Sequence, residues 1–299
     1  MVESTVQPTQ HFFTSQRLKI AYWDWGNPDA PPVLLIHGGR DHSRQWDKVA
    51  RGLRDRFHVI AMDLRGHGDS DWAVGSQYGL PDQALDIVRM VEIIGKPTTI
   101  ISHSYGAQSA IIGAAAYPEF FGRWVIIEGV SATVNRRSEM NPEWIREWGD
   151  KARFIETPTL RVYKTVEEAG QRLLEQNPGI PADLLPTIAK FAVKPQDGGF
   201  VWKFDGWVLN RTSMEIRWGD QPSFWKKIDA PVLLLSGSKS HIRVEHDHES
   251  IQYFPDIQYV SVEGAGHWMQ HDHFDEFMAI VNRFFEEKPV RVLPPGSAK

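Results

Sequence analysis

The stretch TTIISHSYGAQ at residues 98–108 decides how the rest of this sequence folds, because it combines a strand, a tight turn and the start of a helix. Its first four residues are β-branched, which is typical of a strand buried on both faces. The small residues that follow from Ala107 onward suit a helix pressed close against a sheet. The sequence therefore predicts a strand that turns abruptly into a helix at residues 102–106.

This turn holds one serine in the position of a nucleophile. In a nucleophile elbow the backbone is strained, so the residues two before and two after the serine must be small. Ser104 has Ser102 and Gly106 at those places, whereas Ser102 would have the bulky Ile100 at the first of them. Ser104 is therefore the candidate nucleophile, in a G-x-S-x-G pattern whose first glycine is replaced by serine.

Composition limits the class of protein. A chain of 299 residues with 41% hydrophobic content can bury one large core, or a core with an inserted subdomain. A net charge of -5 without a basic run argues against nucleic acid or an anionic membrane as the partner. Disulfides and thiolate chemistry are excluded because the sequence has no cysteine. The sequence leaves the oligomeric state open.

The first ten residues, MVESTVQPTQ, lack the apolar core of a signal peptide, and no stretch approaches 18 apolar residues. We therefore expect a cytoplasmic protein with a small-molecule partner.

Buried strands alternate with helices along most of the chain. Two short strands at residues 11–24 are expected to open the sheet in antiparallel fashion, and the buried strands are predicted near residues 33–36, 57–63, 98–102, 123–129, 232–236 and 257–262. This alternation predicts an α/β fold with a doubly wound, mostly parallel sheet. Ligands of such sheets bind at the carboxyl ends of the strands, where Gly39, Ser104, Glu128 and His267 all fall.

The pattern is interrupted between residues 130 and 230, where helix candidates replace the buried strands. The core is predicted to comprise residues 1–129 and 231–287, with an inserted, mainly helical cap at 130–230 and a disordered tail at 288–299. Six of the twelve tryptophans fall in the cap: Trp144, Trp148, Trp202, Trp207, Trp218 and Trp225. Such an aromatic insertion is typical of a lid over an apolar pocket. The candidate pocket residues are Arg40, Trp144, Trp148, Trp202 and Trp207.

Four motifs, in this order along residues 17–285, resemble the α/β-hydrolase family. They are His37-Gly38-Gly39, the loop DLRGHGDS at 63–70, the elbow at Ser104, and Gly264-Ala265-Gly266-His267. The resemblance implies that Ser104 is the nucleophile and His267 the general base. It also implies that the backbone N–H groups of Gly39 and Tyr105 form the oxyanion hole. We expect Arg65, His67 and Asp69 of the loop to be structural.

The sequence departs from this family in the third catalytic residue. Family members usually carry an aspartate a few residues after the strand at 232–236, in a Gly-x-x-Asp setting, but this chain has Gly237-Ser238-Lys239-Ser240. Some members use an acid at the end of the strand after the elbow, and Glu128 is similarly placed. Glu128 is therefore the predicted triad acid. Glu245 and Asp247 remain the alternatives, expected to lie on the following helix.

The resemblance implies a serine hydrolase that cleaves a small apolar carboxylic ester or lactone through an acyl-enzyme. The same residues would serve hydrolysis of a C–C bond or acyl transfer, and a non-catalytic ligand-binding homologue is the further alternative. No cofactor is expected. No metal is expected either, since the paired histidines His246/His248 and His271/His273 would diverge in direction at i, i+2 spacing on a helix.

Overall fold

The computed structural model describes residues 6–75, 77–130, 141–155, 161–210, 216, 218–241 and 250–287. Its strands, in chain order, are β1 (Thr9–Ser15), β2 (Leu18–Asp24), β3 (Pro32–Ile36), β4 (His58–Met62), β5 (Thr98–His103), β6 (Phe121–Ile127), β7 (Val193–Gln196), β8 (Gly199–Trp202), β9 (Val232–Gly237) and β10 (Ile257–Val262). Its α-helices are α1 (Asp47–Leu53), α2 (Leu80–Ile94), α3 (Ser104–Ala116), α4 (Pro142–Ile155), α5 (Val166–Gln176), α6 (Leu185–Ala192), α7 (Gln221–Trp225), α8 (Met269–Asp272) and α9 (Phe274–Phe285).

Eight of these strands form one sheet in the order β1-β2-β4-β3-β5-β6-β9-β10. The pairs β1/β2 and β2/β4 are antiparallel, and all other neighbours are parallel. From β3 the chain passes to β4 on one side and later returns to β5 on the other side of β3. The strand order therefore reverses between β3 and β5, which is where ligands of doubly wound sheets bind. The predicted fold class and the antiparallel start are confirmed.

The parallel strands are buried on both faces because their side chains alternate between two apolar layers. On β3, Leu34 and Ile36 contribute to the layer that α2 and α3 cover. Val33 and Leu35 contribute to the opposite layer, which α1 and α9 cover. This arrangement explains why the strands have continuous apolar sequences rather than alternating ones. The sheet is thus a rigid support whose carboxyl edge remains open for a site.

The described part of the predicted cap is mainly helical, with α4 to α7 and the antiparallel hairpin of β7 and β8. The hairpin covers residues 193–202. None of the helices in the described ranges has the length and hydrophobicity needed to cross a lipid bilayer. The predicted tail at 288–299 lies outside the described residues.

The segment after the hairpin is fastened to the loop at residues 63–72. Lys203 Nζ forms an ion pair with Asp69 Oδ1 at 2.5 Å, and Trp72 Nε1 donates to the carbonyl oxygen of Lys203 at 2.9 Å. The backbone N–H of Asp205 donates to the carbonyl oxygen of Gly66 at 2.8 Å. The glycine-rich loop therefore connects the sheet to the predicted cap.

The same loop is held to α2 by a buried ion pair. Arg65 Nε donates to Asp86 Oδ2 at 2.7 Å and Arg65 Nη2 donates to Asp86 Oδ1 at 2.8 Å, with both side chains fully buried. A bidentate pair of this kind satisfies both charges only while both partners are present.

We expect Asp86→Ala to lower the free energy of unfolding by about 3–5 kcal/mol, since it leaves the Arg65 guanidinium buried and unpaired. The matched control is Glu92→Ala on the same helix, which removes an exposed pair with Arg89. That control should cost about 0.5 kcal/mol or less. Urea denaturation with an unchanged m-value measures both changes. Equal losses for the two variants would contradict a structural role for the buried pair.

Candidate active site

Ser104 lies at the junction of β5 and α3, where the sequence predicts the elbow. Its φ of +48° falls in the left-handed region, which costs a residue with a side chain about 1–2 kcal/mol. Close packing enforces this conformation, because a Cβ on Gly106 would lie only 2.2 Å from the carbonyl oxygen of His37. Position 106 therefore requires glycine. The turn brings Ser104 to the carboxyl edge of the sheet beside the end of β3.

The serine that replaces the first glycine of the elbow pattern has a hydrogen-bond partner. Ser102 is fully buried, and its Oγ accepts from Trp124 Nε1 at 2.8 Å. Trp124 lies on the neighbouring strand β6, and its indole N–H would otherwise be buried without an acceptor. The departure from the family pattern is thus compensated locally, across the pair of strands that carry Ser104 and Glu128.

Glu128 directly follows β6 and also has a left-handed backbone, with φ of +47°. Its carboxylate is 1% exposed and takes hydrogen bonds from three groups. Oε1 accepts from the backbone N–H of Gly237 at 2.7 Å, and Oε2 accepts from Ser240 Oγ at 2.6 Å. Oε2 is also hydrogen-bonded to Nδ1 of His267. Ser240 stands where the family usually has its aspartate, and it contacts the carboxylate instead of supplying one.

His267 is 8% exposed and lies in the loop after β10. Because Nδ1 donates to Glu128, the neutral ring carries its proton there and Nε2 is left as a proton acceptor. The backbone carbonyl of His267 is held as well, since it accepts from His103 Nε2 at 2.9 Å. His103 directly precedes Ser104. The loop that carries His267 is therefore fastened to the elbow on one side and to Glu128 on the other.

Three aromatic rings surround the imidazole of His267. The ring centroids of His103, His241 and Trp268 lie 4.5, 4.7 and 4.8 Å from it. Burial, and then the neighbouring His267, hold the pKa of His103 well below its usual value. The same two causes lower the pKa of His241. Sequence reasoning missed His103 and His241 as neighbours of His267, because their proximity follows from strand order and not from a local pattern.

The two predicted oxyanion donors are neighbours. A Cβ on Gly39 would lie 3.6 Å from Cβ of Tyr105. The Tyr105 side chain points away from the turn, with its hydroxyl donating to the carbonyl oxygen of Tyr78 at 2.7 Å. Tyr78 in turn donates to Asp205 Oδ2 at 2.5 Å and accepts from the backbone N–H of Ala73 at 2.7 Å. A chain of hydrogen bonds thus links the predicted cap to the residue after Ser104.

A cavity of about 340 Å³ opens beside Gly39. Its polar lining includes Arg40, Asp41, Asn177 and His271. Burial lowers the pKa of His271 to about 4, and its Nε2 donates to the carbonyl oxygen of Gln45 at 3.2 Å. The remaining described lining residues are Leu173, Gln176, Ile180, Ile188, His241 and Trp268. Of the five predicted pocket residues, this cavity includes Arg40.

The four cap tryptophans predicted to line the pocket do not line this cavity, and their described contacts are with other parts of the protein. The Trp202 ring packs edge-on against Tyr163 at 4.9 Å, and Trp207 packs against the cluster of Tyr78 and Val208. Trp144 is 8% exposed on α4, where the carbonyl oxygen of Trp148 accepts from Asn210. Contact of these four side chains with a substrate stays a prediction. The alternative acids Glu245 and Asp247, and also His246 and His248, lie outside the described residues.

The chain belongs to the alpha/beta hydrolase family, whose sequence model matches residues 33–280. It is 27% identical over 252 residues to 2-(acetamidomethylene)succinate hydrolase of Mesorhizobium japonicum, a match covering 80% of this chain and 82% of that protein. It is 26% identical over 268 residues to an esterase of Mycobacterium tuberculosis, covering 86% and 83%. The thioesterase domain from the curacin biosynthetic pathway has the same fold, with a TM-score of 0.82 at 23% identity, covering 92% of this chain and 99% of that one.

We expect Tyr78→Phe to lower the free energy of unfolding by about 1–3 kcal/mol, because it leaves Asp205 and the N–H of Ala73 buried without their partner. The control is Tyr117→Phe, whose ring is 36% exposed. It should change stability by about 0.5 kcal/mol or less. Chemical denaturation measures both variants. A loss no greater than that of the control would show that the Tyr78 hydroxyl does not fasten the predicted cap.

Proposed function

We propose that this protein is a serine hydrolase that cleaves a carboxylic ester or lactone through an acyl-enzyme. Ser104 is the nucleophile, His267 the general base and Glu128 the acid that orients it. The observation that carries the proposal is the hydrogen bond between His267 Nδ1 and a Glu128 carboxylate that Gly237 and Ser240 also hold. A serine hydroxyl becomes a useful nucleophile only when an oriented imidazole takes its proton.

In the proposed reaction, Ser104 Oγ attacks the carbonyl carbon of the substrate while its proton passes to His267 Nε2. The negative charge on the carbonyl oxygen is stabilised by the backbone N–H groups of Gly39 and Tyr105, which need no reorganisation as the charge develops. His267 then returns the proton to the leaving oxygen, and the acyl group remains on Ser104. A water molecule, deprotonated by His267, releases the acid in the reverse sequence of steps. Glu128 stabilises the imidazolium in both halves.

The strained elbow supports the role of Ser104, because left-handed backbone at a side-chain-bearing residue is typical of functional sites. The esterase of Mycobacterium tuberculosis among the relatives supports ester chemistry. The same residues would also serve C–C hydrolysis or acyl transfer. Labelling by a serine-directed probe without turnover of simple esters and lactones would favour one of those reactions, and the absence of labelling would favour a non-catalytic binding protein.

We expect Ser104→Ala to abolish covalent labelling by a fluorophosphonate probe and to lower kcat for a 4-nitrophenyl ester by about 10⁴-fold or more. His267→Ala should be comparably severe, because members of a triad act as one unit. Ser109→Ala is a matched control on the same helix, α3, because the Ser109 hydroxyl only donates to the helix's own carbonyl oxygen at Tyr105. Persistent labelling of Ser104→Ala would remove Ser104 from the mechanism.

Glu128→Gln should lower kcat by roughly 10³-fold or more, by analogy with the amide substitution of the triad acid in serine proteases. The amide keeps the shape of the side chain but removes the charge that stabilises the imidazolium. Glu245→Gln and Asp247→Asn are the comparison variants, expected to have near-normal rates. Should Asp247→Asn or Glu245→Gln lose activity while Glu128→Gln stays active, the acid belongs after β9 and Glu128 is a wall residue.

A further inference from the structure

The cavity beside Gly39 is lined by a positively charged side chain, that of Arg40. Arg40 is exposed, and its guanidinium forms no hydrogen bond or ion pair with the described residues, although its charge helps to lower the pKa of the buried His67. Its φ of +62° places it in the left-handed region, which costs an arginine about 1–2 kcal/mol. Arg17 has the same backbone conformation, and what distinguishes Arg40 is that it follows Gly39 and lines the cavity.

The other titratable groups of the cavity neutralise Arg40 only in part near pH 7, where the Asp41 carboxyl is about half ionised. Burial raises the pKa of the Asp41 carboxyl to about 7, and its Oδ1 is occupied by the backbone N–H of His42 at 2.9 Å. Burial lowers the pKa of His271 to about 4 and also lowers the pKa of His241, so both rings are neutral at pH 7. Near neutral pH, Arg40 is therefore the only fully charged group among the described residues that line the cavity.

The remaining walls of the cavity indicate what kind of chain an anionic ligand of Arg40 would carry. Leu173, Ile180 and Ile188 supply an aliphatic wall, and Gln176 and Asn177 supply amides. Asn177 Nδ2 contacts His271 Nδ1 at 3.2 Å, an arrangement that leaves its second N–H hydrogen for another acceptor. A volume of about 340 Å³ lies at the lower end of the range for small-molecule sites. These walls fit a short aliphatic chain that ends in a carboxylate.

We propose that the cavity beside Gly39 binds a carboxylate of the substrate through Arg40, so that the preferred substrate is a monoester of a short aliphatic dicarboxylic acid. This inference rests on the proposed hydrolase function and names the substrate class of that site. The planar guanidinium can bind a carboxylate through two parallel hydrogen bonds, which selects for the anion over an uncharged group of the same shape.

The kinetic test compares mono-4-nitrophenyl adipate with its terminal amide, 4-nitrophenyl adipamate, at fixed pH and ionic strength and with the uncatalysed rates subtracted. The wild-type protein should have the higher kcat/KM for the acid. Arg40→Met should lower the acid-to-amide ratio of kcat/KM by about 10- to 100-fold, because a charge-assisted pair is lost. Arg40→Lys should retain part of the preference, since the charge remains but the two-point geometry does not.

Arg17→Met is the matched control, because Arg17 is another exposed arginine with a left-handed backbone, at φ of +72°. It lies in the turn between β1 and β2, outside the cavity lining. In Arg17→Met the acid-to-amide ratio of kcat/KM should change by less than about twofold, as expected for a distant, screened surface charge. The proposal is overturned if Arg40→Met and Arg17→Met change the ratio equally, or if the wild-type protein prefers the amide.

A binding measurement separates this inference from the proposed function, because it needs no turnover. Calorimetry should show that adipate binds to the wild-type protein at least about tenfold more tightly than the diamide adipamide. This comparison uses only the wild-type protein, so it tests the inference even if Arg40→Met does not fold. Equal affinities overturn the inference while leaving the hydrolase reaction standing. Selective binding of adipate by a protein that neither turns over esters nor reacts with a serine-directed probe would overturn the hydrolase reaction and support the carboxylate site.

Discussion

The site depends on how tightly α3 packs against the ends of the strands beside it. A Cβ on Gly106 would lie 2.2 Å from the carbonyl oxygen of His37, and a Cβ on Gly129 would lie 2.1 Å from Cβ of Ala107. These two contacts bring the helix against the exits of β3 and β6 at once. Ser104, two residues before Gly106, and Glu128, one residue before Gly129, both have left-handed conformations. Packing of the helix thus supports the strained backbone on which both side chains are presented.

Glu128 contacts His267 from the end of β6, although Ser240 stands where the family usually has its aspartate. The position that normally carries aspartate holds Ser240, whose hydroxyl contacts the Glu128 carboxylate at 2.6 Å. A buried carboxylate needs several donors to remain an acceptor for the histidine, and Gly237 and Ser240 supply two of them. The carboxylate therefore reaches His267 from β6, the strand beside β9. Ser240, at the position after β9 that usually carries aspartate, contributes a hydrogen bond to the same carboxylate.

The glycine-rich loop after β4 has a structural role that extends beyond its own turn. Arg65 fastens the loop to α2, and Asp69 binds Lys203 of the segment after the hairpin. Tyr78 then joins Asp205 to the Tyr105 side chain through two hydrogen bonds. The described residues of the predicted cap are thus connected to the elbow by polar contacts through the loop. A displacement of residues 203–205 would therefore be transmitted to Tyr105, beside Ser104.

Much of the fold and several residues of the candidate site could be predicted from the sequence, because both depend on local patterns. The strands, the antiparallel start, the elbow at Ser104 and the positions of Glu128 and His267 at strand ends all follow from local patterns of residue size and hydrophobicity. The polarity of the cavity was not predictable in the same way. The apolar pocket expected from the tryptophans of the cap stays a prediction, and the described cavity beside Gly39 instead combines Arg40, Asp41 and His271 with aliphatic residues.

Local sequence patterns were enough to predict the succession of strands and helices, the strained turn and the residue types at the strand ends, because these depend on neighbours within a few positions along the chain. The contacts of Glu128 with His267, of Ser240 with Glu128, and of His103 with the loop of His267 arise only in the folded chain. These contacts join residues 112 to 164 positions apart. Such distant groups meet only because the parallel strands carry their carboxyl ends to one edge of the sheet.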